Sequence, residues 1–338
     1  MMRLIQIGAG NMGAWWMQVI DDSDDIEPAA LIDIDSARAA ALVRKHRSDS
    51  IGVYKTLYDA LNRVQADAVL DVSPPQFRLA HIHAALDRNM PILIEKPLAA
   101  SMNDARAIMD MVNAHDSLVV VAQNYRYHVP IMTVKSLLDA GEIGRLSKVT
   151  VEHYRGLSLS GFHQQLAYPL LQDMSIHHLD LMRFFLGAEP LTIFARSWNP
   201  PGSAFNGDAS VAAIFDFPNH VVVTYDASWS SNGLETSWNG NWRFEGEAGV
   251  ITLRDDVVTV QKRTGKISGR DIVFDEPRVI APVAGMPSGQ HYLLREFYEA
   301  VRGNGVPATI AQDNIHSIRM VFKVIESIKS GTVVTFAE

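Results

Sequence analysis

The sequence contains no cysteine. Disulfides, thiolate nucleophiles and cysteine-ligated zinc or iron–sulfur centres are therefore excluded, and the composition fits the cytoplasm. No apolar run approaches the roughly 18 residues that a membrane helix needs. The N-terminal MMRLIQIGAGNMG has neither the long apolar stretch nor the small-residue cleavage site of a secretory signal. Lysine and arginine (30) are outnumbered by aspartate and glutamate (38), the net charge is −8, and no basic block or stripe interrupts that balance. A phosphate-backbone footprint needs clustered cations, so nucleic-acid binding is disfavoured. Internal repeats and low-complexity tracts are likewise missing. What is present, 338 residues of which 47% are hydrophobic and 20% charged, has the length of two domains and the composition of a soluble globular protein.

The first motif is at the start. Leu4, Ile5 and Ile7 lead into Gly8-x-Gly10-x-x-Gly13, with Asn11 and Met12 inside the motif, and a helical pattern carrying Trp15, Trp16, Val19 and Ile20 follows. This order is strand, tight turn, helix. Gly8 makes the turn, Gly10 lets the backbone approach a pyrophosphate, Gly13 lets helix pack on strand, and the helix N-terminus faces the anion. A Gly-rich turn alone would be a weak signal. Its context strengthens it: a second strand, AALIDID, ends in Asp33, 20 residues beyond Gly13. A carboxylate there accepts hydrogen bonds from the adenine ribose and repels a 2′-phosphate, which points to NAD rather than NADP. Asp35 is an alternative acceptor, although Asp33 is nearer the strand end.

The alternation continues. Residues 66–73 (ADAVLDVS) read as a strand running into Pro74-Pro75, and 77–88 as a helix ended by a left-handed Asn89. PILIEKP is a further strand, Ser101 caps a helix over 102–114, and SLVVVAQ is another strand. Strands separated by helices predict a doubly wound parallel sheet, whose ligands sit at the carboxyl ends of the strands. Asp33, Ser73, Glu95, Lys96 and Gln123 fall at such ends. After residue 123, alternating stretches such as SKVTVEHY, VAAIFDF and HVVVTYDASWS follow one another without long helices, the mark of antiparallel pairing. FDFPNHVVVTY reads as a hairpin turning at Pro218-Asn219, and residues 291–302 and 312–329 as amphipathic helices closed near Gly303 and Gly331. Trp198, Trp229, Trp238 and Trp242 lie in this half, where stacking on a sugar face competes with ordinary core packing.

LLQDMSIHHLDLMRFFLG (170–187) reads as one helix, with Asp173 and His177 four apart on one face. Three readings are open: a metal site completed by His153 or His163, a catalytic acid–base pair, or a helix with polar members. No motif such as H-E-x-x-H supports the metal, so none is expected. His178 lies about 100° from His177 around the helix and, with Asp180, reads as structural.

GAGNMG, Asp33, Glu95-Lys96-Pro97 and Asp173-x-Ser-x-His177-x-x-Asp180 together resemble the Gfo/Idh/MocA family, which includes glucose–fructose oxidoreductase and inositol dehydrogenases. The likeness spans nearly the whole chain, with NYRYHVP (124–130) as the crossing segment and FEGEAGVITL (244–253) as a turn between sheet strands. It implies an NAD-binding Rossmann domain over 1–122. It also implies an open, mostly antiparallel sheet domain with C-terminal helices over 123–338, one face covering the nicotinamide and the other forming a homodimer or homotetramer. The family's catalytic Lys, Asp and His fall on Lys96, Asp173 and His177. Two segments depart from the family pattern. AYPLLQ replaces the glycines before the D-x-x-x-H element, and Ser73-Pro74-Pro75-Gln76 is followed by Arg78 where the family has His.

The implied chemistry is NAD-dependent oxidation of a secondary hydroxyl of a sugar, sugar derivative or cyclitol. His177 takes the hydroxyl proton, Asp173 holds the imidazole or a neighbouring hydroxyl, and Lys96 stabilises developing alkoxide charge, so that substrate lies in a cleft between them. Two rivals are a sensor that binds NAD without turnover, and a glycosidase using bound NAD for transient oxidation.

Overall fold

The structure is a computed structural model and describes residues 1–46 and 51–336; residues 47–50 and 337–338 of the two expected domains lie outside the described residues. The chain divides into two compact units, Met1–Asn124 with Pro287–Ile318, and Tyr125–Met286 with Arg319–Glu338.

In the first unit, β1 (Met2–Ile7), α1 (Asn11–Asp21), β2 (Ile26–Ile32), α2 (Ser36–Val43), β3 (Gly52–Tyr54), α3 (Leu57–Leu61), β4 (Ala68–Asp71), α4 (Arg78–Leu86), β5 (Ile92–Glu95), α5 (Met102–Ala114) and β6 (Val119–Ala122) alternate along the chain. The six strands form one sheet in the order β3-β2-β1-β4-β5-β6, every pair parallel. AVLD, ILIE and VVVA are buried along their whole length, as parallel strands covered on both faces must be. α1 buries Trp16, Met17, Val19 and Ile20, each worth about 1.5–3 kcal/mol in area removed from water. The punctuation follows the sequence. Ser101 Oγ accepts from the Asp104 N–H at 3.1 Å to start α5, and Asn89, φ 52°, ends the helical run before β5. The sheet order reverses between β1 and β4, and the crevice at that reversal is where such sheets bind ligands.

In the second unit, α6 (Val129–Asp139), β7 (Leu146–Tyr154), α7 (Pro169–Asp173), α8 (Ser175–Leu186), β8 (Thr192–Trp198), β9 (Ser210–Phe217), β10 (Val221–Ser228), β11 (Asn241–Gly246), β12 (Gly249–Arg254), β13 (Val257–Ser268), β14 (Asp271–Phe274) and β15 (Arg278–Val279) follow. The sheet runs β14-β13-β12-β11-β7-β10-β9-β8 and is closed at that edge by β16 (Val334–Thr335), with β15 beside β13. It is antiparallel except where β10 lies parallel to β7. β9 and β10 form the expected hairpin, Phe217 opposite Val221, with Asn219 and His220 at positive φ in the turn. One face is buried: Phe215, Val223, Tyr225, Trp242, Phe244 and Leu253 are at most 2% exposed. Helix α8 belongs to this core, Phe185 meeting Trp242 and Phe244 edge-on with ring centroids 5.2 and 5.1 Å apart. Trp229 and Trp242 are core residues, whereas Trp198 and Trp238 are more than 40% exposed.

Two expectations need correction. Pro287–Ile318, assigned by the sequence to the second domain, packs with the first. The reason is the open edge of the parallel sheet: the Val121 N–H donates to the Thr309 carbonyl at 2.9 Å, Val120 bridges to Ile310, and α9 (Gln290–Val301) packs on α1. Helix α10 (Ala311–Ser330) then carries the chain from one unit to the other. Second, residues 170–187 are not one helix. α7 stops at Asp173 and α8 starts at Ser175, with Met174 at φ −101° between them. Asp173 therefore ends one short helix while His177 stands in the first turn of the next.

Candidate active site

In the first unit the Gly8–Gly13 loop is shaped by contacts that leave no choice of residue. Gly8 sits at φ +103°, and a Cβ on Gly13 would lie 2.2 Å from the Gly8 carbonyl oxygen. Gln6, fully buried, fastens the loop: its Nε2 donates to the Gly8 and Gly13 carbonyls, both at 2.9 Å. At Gly10 the situation is reversed. Its φ is an ordinary −72° and a Cβ would meet nothing within 4 Å. No side chain caps α1 there, and the first-turn N–H groups of an uncapped helix suit an anion.

Asp33 is 7% exposed, and both its oxygens are engaged. Oδ2 accepts from the Ala9 N–H at 2.8 Å, and Oδ1 from the Asp35 N–H at 2.8 Å and the Arg38 guanidinium at 2.7 Å. Burial would raise its pKa, but these donors, Arg38 foremost, outweigh that and hold it below the usual carboxylate value. Asp35 is occupied differently: Oδ1 caps α2, accepting from Ala37 and Arg38 N–H at 3.1 and 3.0 Å. Asp33 therefore lies against the glycine loop, whereas Asp35 serves a helix end.

At the ends of β4 and β5, Ser73, Glu95 and Lys96 come together around a residue absent from the expected site, Arg78. Its Nη2 donates to the Ser73 carbonyl at 3.1 Å and the Lys96 carbonyl at 3.3 Å. Glu95 is turned inward: Oε1 accepts from Trp16 Nε1 at 2.7 Å and Oε2 from the Lys96 N–H at 3.1 Å. Burial pushes the Glu95 carboxyl pKa up, against the pull of Trp16, Lys96 and Arg78. Asp71, fully buried, accepts from Ser73 N–H at 2.8 Å and pairs with His81 Nδ1 at 3.0 Å. Gln123, at the end of β6, is fully buried and accepts from Asn314 Nδ2 at 3.3 Å.

In the second unit a separate polar group gathers around Tyr125. The His177 ring stacks on Tyr125, centroids 4.0 Å apart at 19°, and His128 lies 4.4 Å away on the same tyrosine. Asp173 is bonded to His163 Nε2 at 3.1 Å. Burial, with Asp173 and Asp256 nearby, pushes the Tyr125 phenol well above its ordinary value, so it stays protonated. Arg155 lies over the Trp238 ring at 4.7 Å. His178 and Asp180 are both buried and bonded within the second unit. His178 is fully buried against the Tyr225 hydroxyl and the Trp238 carbonyl, and Asp180 takes a bidentate pair from Arg126 at 2.7 and 2.6 Å. That pair fixes Arg126, the neighbour of Tyr125, to α8. Among the described residues no group of three or more His, Cys, Asp or Glu is placed to hold a metal ion.

Sequence reasoning missed Gln6, Arg38, Arg78 and Tyr125, and raised His163 only as a candidate metal ligand, not as the partner of Asp173. Arg78 had a signal, as a cation where the family pattern has His; the others were not singled out by any motif.

A parallel sheet in the order 3-2-1-4-5-6, a glycine turn against an uncapped helix, and a buried carboxylate at the end of the second strand define an NAD-binding Rossmann protein. The family comparisons agree. Residues 2–123 match the oxidoreductase family with an NAD-binding Rossmann fold, and residues 131–252 match the GFO/IDH/MocA C-terminal domain. The chain belongs to the GFO/IDH/MocA family of oxidoreductases. It is 27% identical to protein y4oX of Sinorhizobium fredii, over 99% of this chain and 96% of that protein. It is 26% identical to inositol 2-dehydrogenase 1 of Paenarthrobacter aurescens, over 79% and 78%. An oxidoreductase from Agrobacterium radiobacter, solved with NAD+, L-tartaric acid and magnesium, shares the fold with a TM-score of 0.84 at 22% identity, over 99% and 98%.

Proposed function

We propose that this chain is an NAD-dependent dehydrogenase that oxidises a secondary hydroxyl of a sugar, sugar derivative or cyclitol. The observation that carries the reading is the second unit's polar group, in which His177 is held face-on by Tyr125 and Asp173, at the end of the preceding short helix, is bonded to His163. A ring fixed this way is a proton acceptor with a set direction, and His is the side chain matched to neutral pH. When bound, NAD supplies the nicotinamide carbon that accepts hydrogen with its electron pair. His177 takes the hydroxyl proton on an imidazole nitrogen. Asp173 accepts a hydrogen bond from a neighbouring hydroxyl or the imidazole. Lys96 Nζ donates to the substrate oxygen as charge develops there. The inositol dehydrogenase relative supports a polyol substrate, and Asp33 supports NAD over NADP. A homodimer or homotetramer joined through the outer sheet face accompanies this reading, and light scattering measures it directly.

The test is a spectrophotometric screen of sugars and inositols with NAD and NADP, followed by variants on the best substrate. His177→Ala should lower kcat about 100-fold or more with NAD affinity intact, and Lys96→Ala should lower it sharply. Loss of NAD affinity in step with turnover would assign His177 to folding instead. NAD binding without turnover of any polyol favours a sensor, and aglycone release without net NADH favours a glycosidase.

A further inference from the structure

We infer that Arg78 is a positioning residue for Lys96. Resting on the reading of Lys96 above, this adds a role for a residue that departs from the family pattern, an arginine where that pattern has His. Arg78 is 2% exposed, and one of its nitrogens, Nη2, holds the carbonyls of Ser73 and Lys96. The ends of β4 and β5 are thereby tied through one planar group, with the Lys96 peptide as one of the two anchor points. A guanidinium suits this task because it presents several donors in one rigid plane.

The rest of the side chain argues against a role in stability. Nε and Nη1 are buried and have no hydrogen-bond partner, and each such group costs about 1–3 kcal/mol. The neighbouring carboxylates do not depend on it for their bonds. Asp71 is served by Ser73 N–H and His81, and Glu95 by Trp16 and the Lys96 N–H. Burial lowers the Arg78 pKa to about 10, while Asp71 and Glu95 act the other way, so it remains a cation at neutral pH. A buried cation with unpaired donors is a poor way to stabilise the ends of two inner strands, since an apolar side chain of similar volume often serves as well or better. It is a good way to fix two carbonyls.

The experiment compares Arg78→Met, Arg78→Lys, Lys96→Ala and the Lys96→Ala/Arg78→Met double variant, in the full chain with NAD and the best polyol of the screen. Arg78→Met should melt within a few degrees of the parent and bind NAD within about twofold, yet lose about tenfold or more in kcat. Arg78→Lys, which keeps the charge and one donor, should recover most of that loss. In the double variant the Arg78 change should cost nothing beyond Lys96→Ala, because a residue that acts through Lys96 has nothing left to position. A kcat for Arg78→Met within twofold of the parent overturns the inference. So does a loss of equal factor in both backgrounds, or an Arg78→Met chain that does not fold while Arg78→Lys folds with a parental melting point and no kcat recovery. Full turnover by Lys96→Ala would instead defeat the reading of Lys96 itself, a result separable from the others.

Discussion

Acid should unfold this protein through His178, and the size of the effect follows from where that ring sits. His178 is fully buried. The Trp238 carbonyl, 3.2 Å from Nε2, can only accept, so Nε2 carries the proton of the neutral ring and Nδ1 faces the Tyr225 hydroxyl at 3.1 Å. His153 lies beside it, ring centroids 4.6 Å apart. Burial pushes the His178 pKa down from 6.5 to about 4, with the Trp238 carbonyl acting the other way. Because the folded value is the lower one, the unfolded chain binds a proton between pH 6.5 and about 4 that the folded chain refuses. Stability is therefore complete above that window and falls as the pH drops through it. At pH 5 the loss from this one ring is about 2 kcal/mol.

Urea unfolding at pH 7.5 and pH 5 measures this, for the parent and for His178→Asn, which cannot titrate. The parent should lose about 2 kcal/mol more than the variant between the two pH values. Other groups move too: Asp33 and Asp71 are held low and lose stability in acid, while Glu95, held high, gains it. These are common to both proteins and cancel in the comparison. His153, pushed down to about 2 by burial and by its neighbours His178 and Arg155, is controlled by repeating the pair in a His153→Asn background. Parallel pH dependences for parent and variant would refute the argument, since they would mean that His178 takes up its proton without unfolding.

The remaining predictions separate shape from charge. Gly13→Ala should cost about 1–3 kcal/mol in urea melts because its Cβ meets backbone at 2.2 Å, whereas Gly10→Ala should leave stability unchanged and weaken NAD binding about tenfold or more by calorimetry. Asp33→Ser removes the carboxylate that Arg38 pairs with, so the kcat/KM ratio of NADP to NAD should rise at least about tenfold; an unchanged ratio would remove Asp33 from cofactor choice. Arg126→Met takes the bidentate partner from buried Asp180 and should cost about 3–5 kcal/mol, most of it restored in Arg126→Met/Asp180→Leu.

What could be read from the sequence, and what could not, divides along a physical line. Periodicity and turn chemistry act over a few residues. The parallel sheet, the Pro218-Asn219 hairpin, the Ser101 cap and the left-handed Asn89 were accordingly legible before any coordinates. The strand–glycine turn–helix and the place of Asp33 just past the second strand were legible because both are local features. Two local signals misled. The apolar body of 170–187 masked the break at Met174, since nothing in LLQDMSIHH forbids a continuous helix. The amphipathic pattern of 291–302 fixed a helix but not the unit it joins, because the open edge at Val120–Val121 that recruits Thr309 and Ile310 lies far away along the chain. The largest gap is in polar partners. Arg126 with Asp180, Arg78 with the Ser73 and Lys96 carbonyls, and His163 with Asp173 pair residues whose separation in sequence carries no information about distance in space. Burial makes such pairs consequential, because an unpaired polar group in low dielectric costs far more than the same group in water. The residues that set the electrostatics of a site are therefore among the last that sequence reveals, and Arg78 is the informative exception. It was visible only as a misfit to a pattern, a cation where the family places an imidazole. Its physical meaning emerged once its one bonded nitrogen was found on the carbonyl of Lys96.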